Sequence, residues 1–156
     1  MKNIKKLAYA ALAVTTLCTT GAAFAGPAVT VLFKNLGTQD ATYKMVTANE
    51  YSSYASSTPK PSTTIRSQKA DTFVVQNNVT ADANAATARY TMGSKTCVFG
   101  TTFLNQVVGG GLFSGGIAKA PKWTKTATAS NGAICTATIK SQNPIDFSWT
   151  VEFTMK

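Results

Sequence analysis

The sequence predicts an all-β protein, an antiparallel β-sandwich or partly open barrel held by one disulfide. Three observations predict it. Beyond residue 25 the chain is rich in Thr, Ser, Ala, Val and Gly and poor in Leu and Glu, a balance that favours strands. Short runs of alternating apolar and polar residues recur between turn-forming clusters. The last run alternates without a break: Phe147, Trp149, Val151, Phe153 and Met155 share one face, while Ser148, Thr150, Glu152, Thr154 and Lys156 share the other. Such a strand buries one face and wets the other.

The first 25 residues read as a signal peptide. Lys2, Lys5 and Lys6 precede the apolar stretch Leu7 to Leu17, and Ala23-Phe24-Ala25 fits the small-x-small cleavage rule. The expected location is therefore the periplasm or the exterior of a bacterial cell. Cys18 has Thr15 where a lipobox carries leucine, which argues against lipidation. Gly26 to Lys156 then form one domain of 131 residues, with 12 basic and 6 acidic side chains and a net charge of +6, against +9 for the whole chain. That surface suits acidic partners and also serves solubility.

Val29 to Lys34 alternates, placing Val29, Val31 and Phe33 on one face. Asn35 to Asp40 reads as a turn, and Ala41 to Thr47, with Tyr43 and Met45 on one face, as the hairpin partner of the first strand. Ala48 to Ser62 is serine-rich, holds Tyr51, Tyr54, Pro59 and Pro61, and reads as a loop. Thr63 to Ile65 and Thr72 to Gln76 look like strands, and Gln76 to Ala86 like a polar loop. Thr87 to Met92 and Thr96 to Leu104 are strands about the turn Gly93-Ser94-Lys95. Trp123 to Thr128 and Ile134 to Lys140 flank Ser130-Asn131-Gly132, a hairpin signal.

Two cysteines remain after the signal, Cys97 and Cys135. In an oxidising compartment they are expected to join, and chain entropy alone makes that bridge worth roughly 4 kcal/mol. The chain has no histidine, and two distant cysteines make neither a zinc site nor a C-x-x-C redox site. No metal or cofactor is therefore expected. The lack of histidine also removes triads and the usual general base, no acidic residues pair in a short motif, and Gly109-Gly110-Gly111 lacks the Gly-Lys-Ser/Thr ending of a phosphate loop. The expectation is a protein that is not an enzyme.

One stretch looks suited to contact. From Thr96 to Ala118 there is no charged residue, and the glycine run leads through Leu112 and Phe113 to Lys119, Lys122, Trp123 and Lys125. Apolar side chains at a loop tip followed by lysines and tryptophan fit a membrane interface. A glycine-rich connection folded back on the core fits the same residues. Nucleic acid is not expected as a partner of an exported chain.

The Phe147 to Met155 strand resembles the C-terminal strand of pilin subunits, but the cysteines fall late in the chain and Met155 stands where a pilin carries its penultimate tyrosine. The order of an early strand, Pro59, Pro61, Ile65, Tyr90 and then a glycine-rich stretch is similar to that of small aegerolysin-like sandwiches, a resemblance that implies lipid binding. The leading expectation is an exported binding module for anionic membrane lipid or envelope glycan, in peripheral contact with the membrane. The alternatives are an oligomerising structural or adhesive (pilin-like) subunit, and a periplasmic inhibitor or immunity protein bound to another protein.

Overall fold

The computed structural model describes residues 25–109 and 118–156. The signal peptide expected at residues 1–25 falls outside it except for Ala25, and so do Leu112 and Phe113. The chain is mostly β, with two antiparallel-rich sheets packed face to face as a sandwich. The first sheet holds β1 (Val29–Asn35), β3 (Ser57–Thr58), β5 (Ala70–Val75), β9 (Cys135–Gln142) and β10 (Trp149–Met155), in the order β3-β5-β1-β10-β9. The second holds β2 (Ala41–Lys44), β4 (Thr64–Ile65), β6 (Ala83–Met92), β7 (Lys95–Val108) and β8 (Ala118–Ser130), in the order β4-β2-β6-β7-β8. A helix, α1 (Ala48–Ala55), follows β2.

The alternating runs do what their period demands. Val29, Val31 and Phe33 of β1 and Trp149, Val151, Phe153 and Met155 of β10 are all buried. The rings of Phe33 and Tyr90 stack across the two sheets at 3.5 Å, and those of Phe99 and Phe153 at 4.7 Å. β1 and β10 lie side by side in parallel, Val29 opposite Trp149, the one departure from antiparallel pairing among the strand pairs described. Phe147 is not on that strand. It takes a positive φ of 61°, is partly buried, and stacks on Phe103 at 5.1 Å.

Both expected hairpins are corrected. β1 and β2 lie in different sheets, because the buried Asn35 side chain holds the crossing open. Its amide donates to the carbonyls of Gln39 (2.8 Å) and Ile65 (3.0 Å), and its oxygen accepts from the Gly37 amide (3.0 Å). A Cβ at Gly37 would meet the Met92 thioether at 2.4 Å, so a larger residue there would have to displace that side chain. The Asn131-Gly132 turn also forms, with φ of 55° and 75° and the Ala133 amide donating to Ser130. Its arms part instead of pairing. Ile134 exchanges two backbone hydrogen bonds with Lys156, which commits β9 to β10. Asn-Gly sets the reversal, and the partner with more to offer sets the pairing.

Two expected loops are corrected as well. Ala48 to Ala55 is a helix because Thr47 and Glu50 form a capping box. Ala83 to Ala86 belongs to β6 because the buried Asn84 amide donates to the carbonyls of Pro27 (2.6 Å) and Val75 (3.0 Å), so a polar residue is satisfied inside the core.

Candidate functional site

The side of the sandwich bearing β8 and β9 is where the expected contact residues fall, and it differs from the opposite side. There the sheets end in the two-residue strands β3 and β4, followed or preceded by Pro59 and Pro61. Short edges and prolines discourage further pairing. Where β2 ends, α1 takes over along β6: the Thr87 amide donates to Ser53 (2.8 Å), and Arg89 reaches Glu50 at 2.9 Å. The other side has no such cover among the described residues. β8 runs for 13 residues, pairs with β7 alone among the described residues, and is exposed along nearly its whole length.

The register tells which groups of β8 are free. Asn105 of β7 donates its amide to Asp82, away from β8, so residues paired opposite odd-numbered β7 positions point their own N–H and C=O away from β7. On β8 these are Lys119, Pro121, Trp123, Lys125, Ala127 and Ala129. Thr124, Thr126 and Thr128 turn theirs inward to the ladder. Pro121 therefore occupies a position where a missing N–H costs the sheet nothing.

The same parity divides the expected contact cluster. Trp123 lies opposite Phe103 and Lys125 opposite Thr101, both buried, so Lys119, Trp123 and Lys125 face the first sheet while Lys122 faces out. Trp123 is half-buried, 5.3 Å from Phe103 and 6.3 Å from Phe147, and its indole N–H donates to the Phe147 carbonyl at 3.2 Å. It closes one end of the seam between β8 and β9. Lys119 pairs with Asp82 at 2.5 Å, and that hydrogen bond, with another from Asn105, holds the Asp82 carboxyl below its usual pKa. Lys125 reaches across the seam and donates to the Ala137 carbonyl of β9 at 2.7 Å. Beyond the seam, β7 exposes Leu104, Val107 and Val108 beside Lys119 and Lys122.

The other end of the seam is closed by Cys97–Cys135, whose Cα atoms are 5.7 Å apart. The bridge joins β7 of one sheet to β9 of the other. Between the two closures Ala127 and Ala129 face Ala137 and Ile139, small or partly exposed side chains over a buried aromatic floor.

Elsewhere, a cavity of about 410 Å³ opens at one end of the sandwich, lined by Leu36, Met92, Lys95 and Lys156 among others. It presents ammonium groups and no carboxylate side chain. Among the described residues no group of three metal-ligating side chains converges, and no helix is long and apolar enough to cross a membrane. Burial, then the charge of Glu50 and the neighbouring Tyr54, push the Tyr43 phenol up to about 12, which keeps it protonated at neutral pH. No protein-family model matches the chain, and no curated protein matches it in sequence.

The sequence joined Lys119, Lys122, Trp123 and Lys125 as one surface, and the register divides them. It did not single out Ala127 and Ala129, which present outward backbone groups on the same strand. The signal for them was present: T-x-T-x-T from Thr124 to Thr128 in an exposed run ending at Asn131-Gly132.

Proposed function

We propose that this chain is an exported, non-catalytic binding module that takes up an extended segment of a protein partner by strand addition along β8. One observation carries the reading: a 13-residue edge strand whose outward backbone groups have no strand partner among the described residues, on a fold whose opposite side ends in two-residue strands. An unpaired edge of that length is a template for another strand, and proteins that do not use it normally guard it. Pro121, Lys119, Lys122 and Lys125 guard the first half, whereas Thr126 to Ser130 carries neither proline nor charge.

The lipid or envelope-glycan reading draws on a different observation, the exposed Leu104, Val107 and Val108 beside Lys119 and Lys122. One experiment separates the two. A photo-crosslinking residue placed at Ala127 in the producing cell is expected to attach a polypeptide, while the same residue at Thr58 on the opposite edge attaches none. Crosslinks from Ala127 to lipid or glycan alone would support the second reading, and equal protein crosslinking from both sites would remove the first.

A further inference from the structure

The charge on this protein is segregated. Between Asp82 and Asp146 the sequence holds six basic residues and no acidic one. Four of the six, Lys119, Lys122, Lys125 and Lys140, lie on the two free edge strands β8 and β9. Lys119 is neutralised by Asp82. Lys122, Lys125 and Lys140 form no ion pair among the described residues, where the pairs are Lys34–Glu152, Arg89–Glu50 and Lys119–Asp82. The open edge is therefore a positive one, with Asp82 alone paired to its lysines among the described residues.

Resting on the strand-addition reading, we infer that the segment β8 receives is acidic and belongs to a different protein. A second copy would have to present its own β8, with the same lysines, its β9, which carries Lys140 and whose Ala137 carbonyl is already taken by Lys125, or the two-residue strands β3 and β4, which are too short to pair with a ladder running from Trp123 to Ala129. Like charges set against one another across a ladder oppose pairing. The lysines thus repel a copy and attract a carboxylate-bearing strand.

The seam sets the rest of the pattern. Residues of the incoming strand opposite Ala127 and Ala129 would face the aromatic floor and should be apolar. The residue opposite Lys125 would replace the Ala137 carbonyl as the ammonium's partner, so an aspartate or glutamate belongs there. No bond is made or broken beyond hydrogen bonds and ion pairs.

The test uses two synthetic peptides of about ten residues, the length of an ordinary long strand. One carries two valines and a glutamate at three successive positions of one face, to meet Ala129, Ala127 and Lys125, with a second glutamate on the other face to meet Lys122; the other replaces both glutamates by glutamine. Each is titrated into the disulfide-bonded protein while backbone amide chemical shifts are followed. The glutamate peptide is expected to shift the amides of Trp123, Lys125, Ala127 and Ala129, and to bind about tenfold more tightly than the glutamine peptide at low salt, the preference shrinking as salt is raised. Ala127→Pro, which removes an outward N–H and leaves the β7 ladder whole, is expected to abolish binding. Lys122→Ala with Lys125→Ala, which leaves the edge intact, is expected to equalise the two peptides. Equal affinity of both peptides for the unaltered protein would overturn the acidic preference and leave strand addition standing. A glutamate preference that survives Ala127→Pro would overturn strand addition itself, and no shift with either peptide at millimolar concentration would overturn both.

Discussion

Replacing Cys97 and Cys135 together by alanine is expected to lower the unfolding free energy by about 4 kcal/mol, a large part of what a domain of this size possesses. The bridge spans 38 residues of sequence, and releasing so long a loop returns its entropy to the unfolded chain. The position of the bridge adds a second consequence. β8 and β9 do not pair as strands, and the Lys125 side chain bridges them farther along, so near the Asn131-Gly132 turn the covalent link is what holds the two sheets in register. Chemical denaturation of the double variant should show the lower midpoint, and its amides near Ala127 and Ala137 should exchange faster than those near Val31. A midpoint unchanged from the oxidised protein would contradict both statements.

The second large effect is expected at Glu50. Its side chain is fully buried, yet it accepts from the Val46 amide at 2.6 Å, the Thr47 amide at 2.9 Å and the Arg89 guanidinium at 2.9 Å. Burial works to raise its pKa, but the hydrogen bonds from Thr47, Arg89 and Val46 together outweigh burial and leave the carboxyl below its ordinary value. Glu50→Ala removes the capping box and strands the half-buried Arg89, a loss of about 3 kcal/mol. Because the folded-state pKa is lowered, the stabilisation is fully present above the unfolded-state value of about 4.3 and is lost as pH falls through the folded value. The difference in urea midpoint between the unaltered protein and Glu50→Gln should therefore be clear at pH 7 and shrink toward pH 3. A difference that grows on acidification would mean the carboxyl is not held ionised.

Glu50 also explains where reading the sequence fell short. The strands of the core were legible because Val29 to Phe33 and Trp149 to Met155 bury one face by strict alternation, and that pattern has one physical solution. α1 was not legible as an apolar stripe because it has none: its buried residues are Glu50 and Ser53, and it is fastened to β6 by polar contacts. Thr47-x-x-Glu50 was its visible signature. The hairpins were misplaced for another reason. Local turn chemistry at Asn131-Gly132 fixes a reversal of direction, but whether two arms pair depends on competing neighbours far along the chain, here β10 for β9 and β7 for β8. The disulfide was legible from the expected compartment and the cysteine count, though not its role as a tie between sheets. As for the site, Lys119, Trp123 and Lys125 could be placed on one face and Lys122 on the other only once β8 was known to be a strand opposite β7.

Amide hydrogen exchange along β8 tests the open edge most directly. In the free protein the amides of Thr124, Thr126 and Thr128 should be protected by the β7 ladder, while those of Trp123, Lys125, Ala127 and Ala129 should exchange near the rate of unstructured chain. Protection that is equal at odd and even positions would mean the outward groups are already paired, and β8 would then have no ladder to offer a partner.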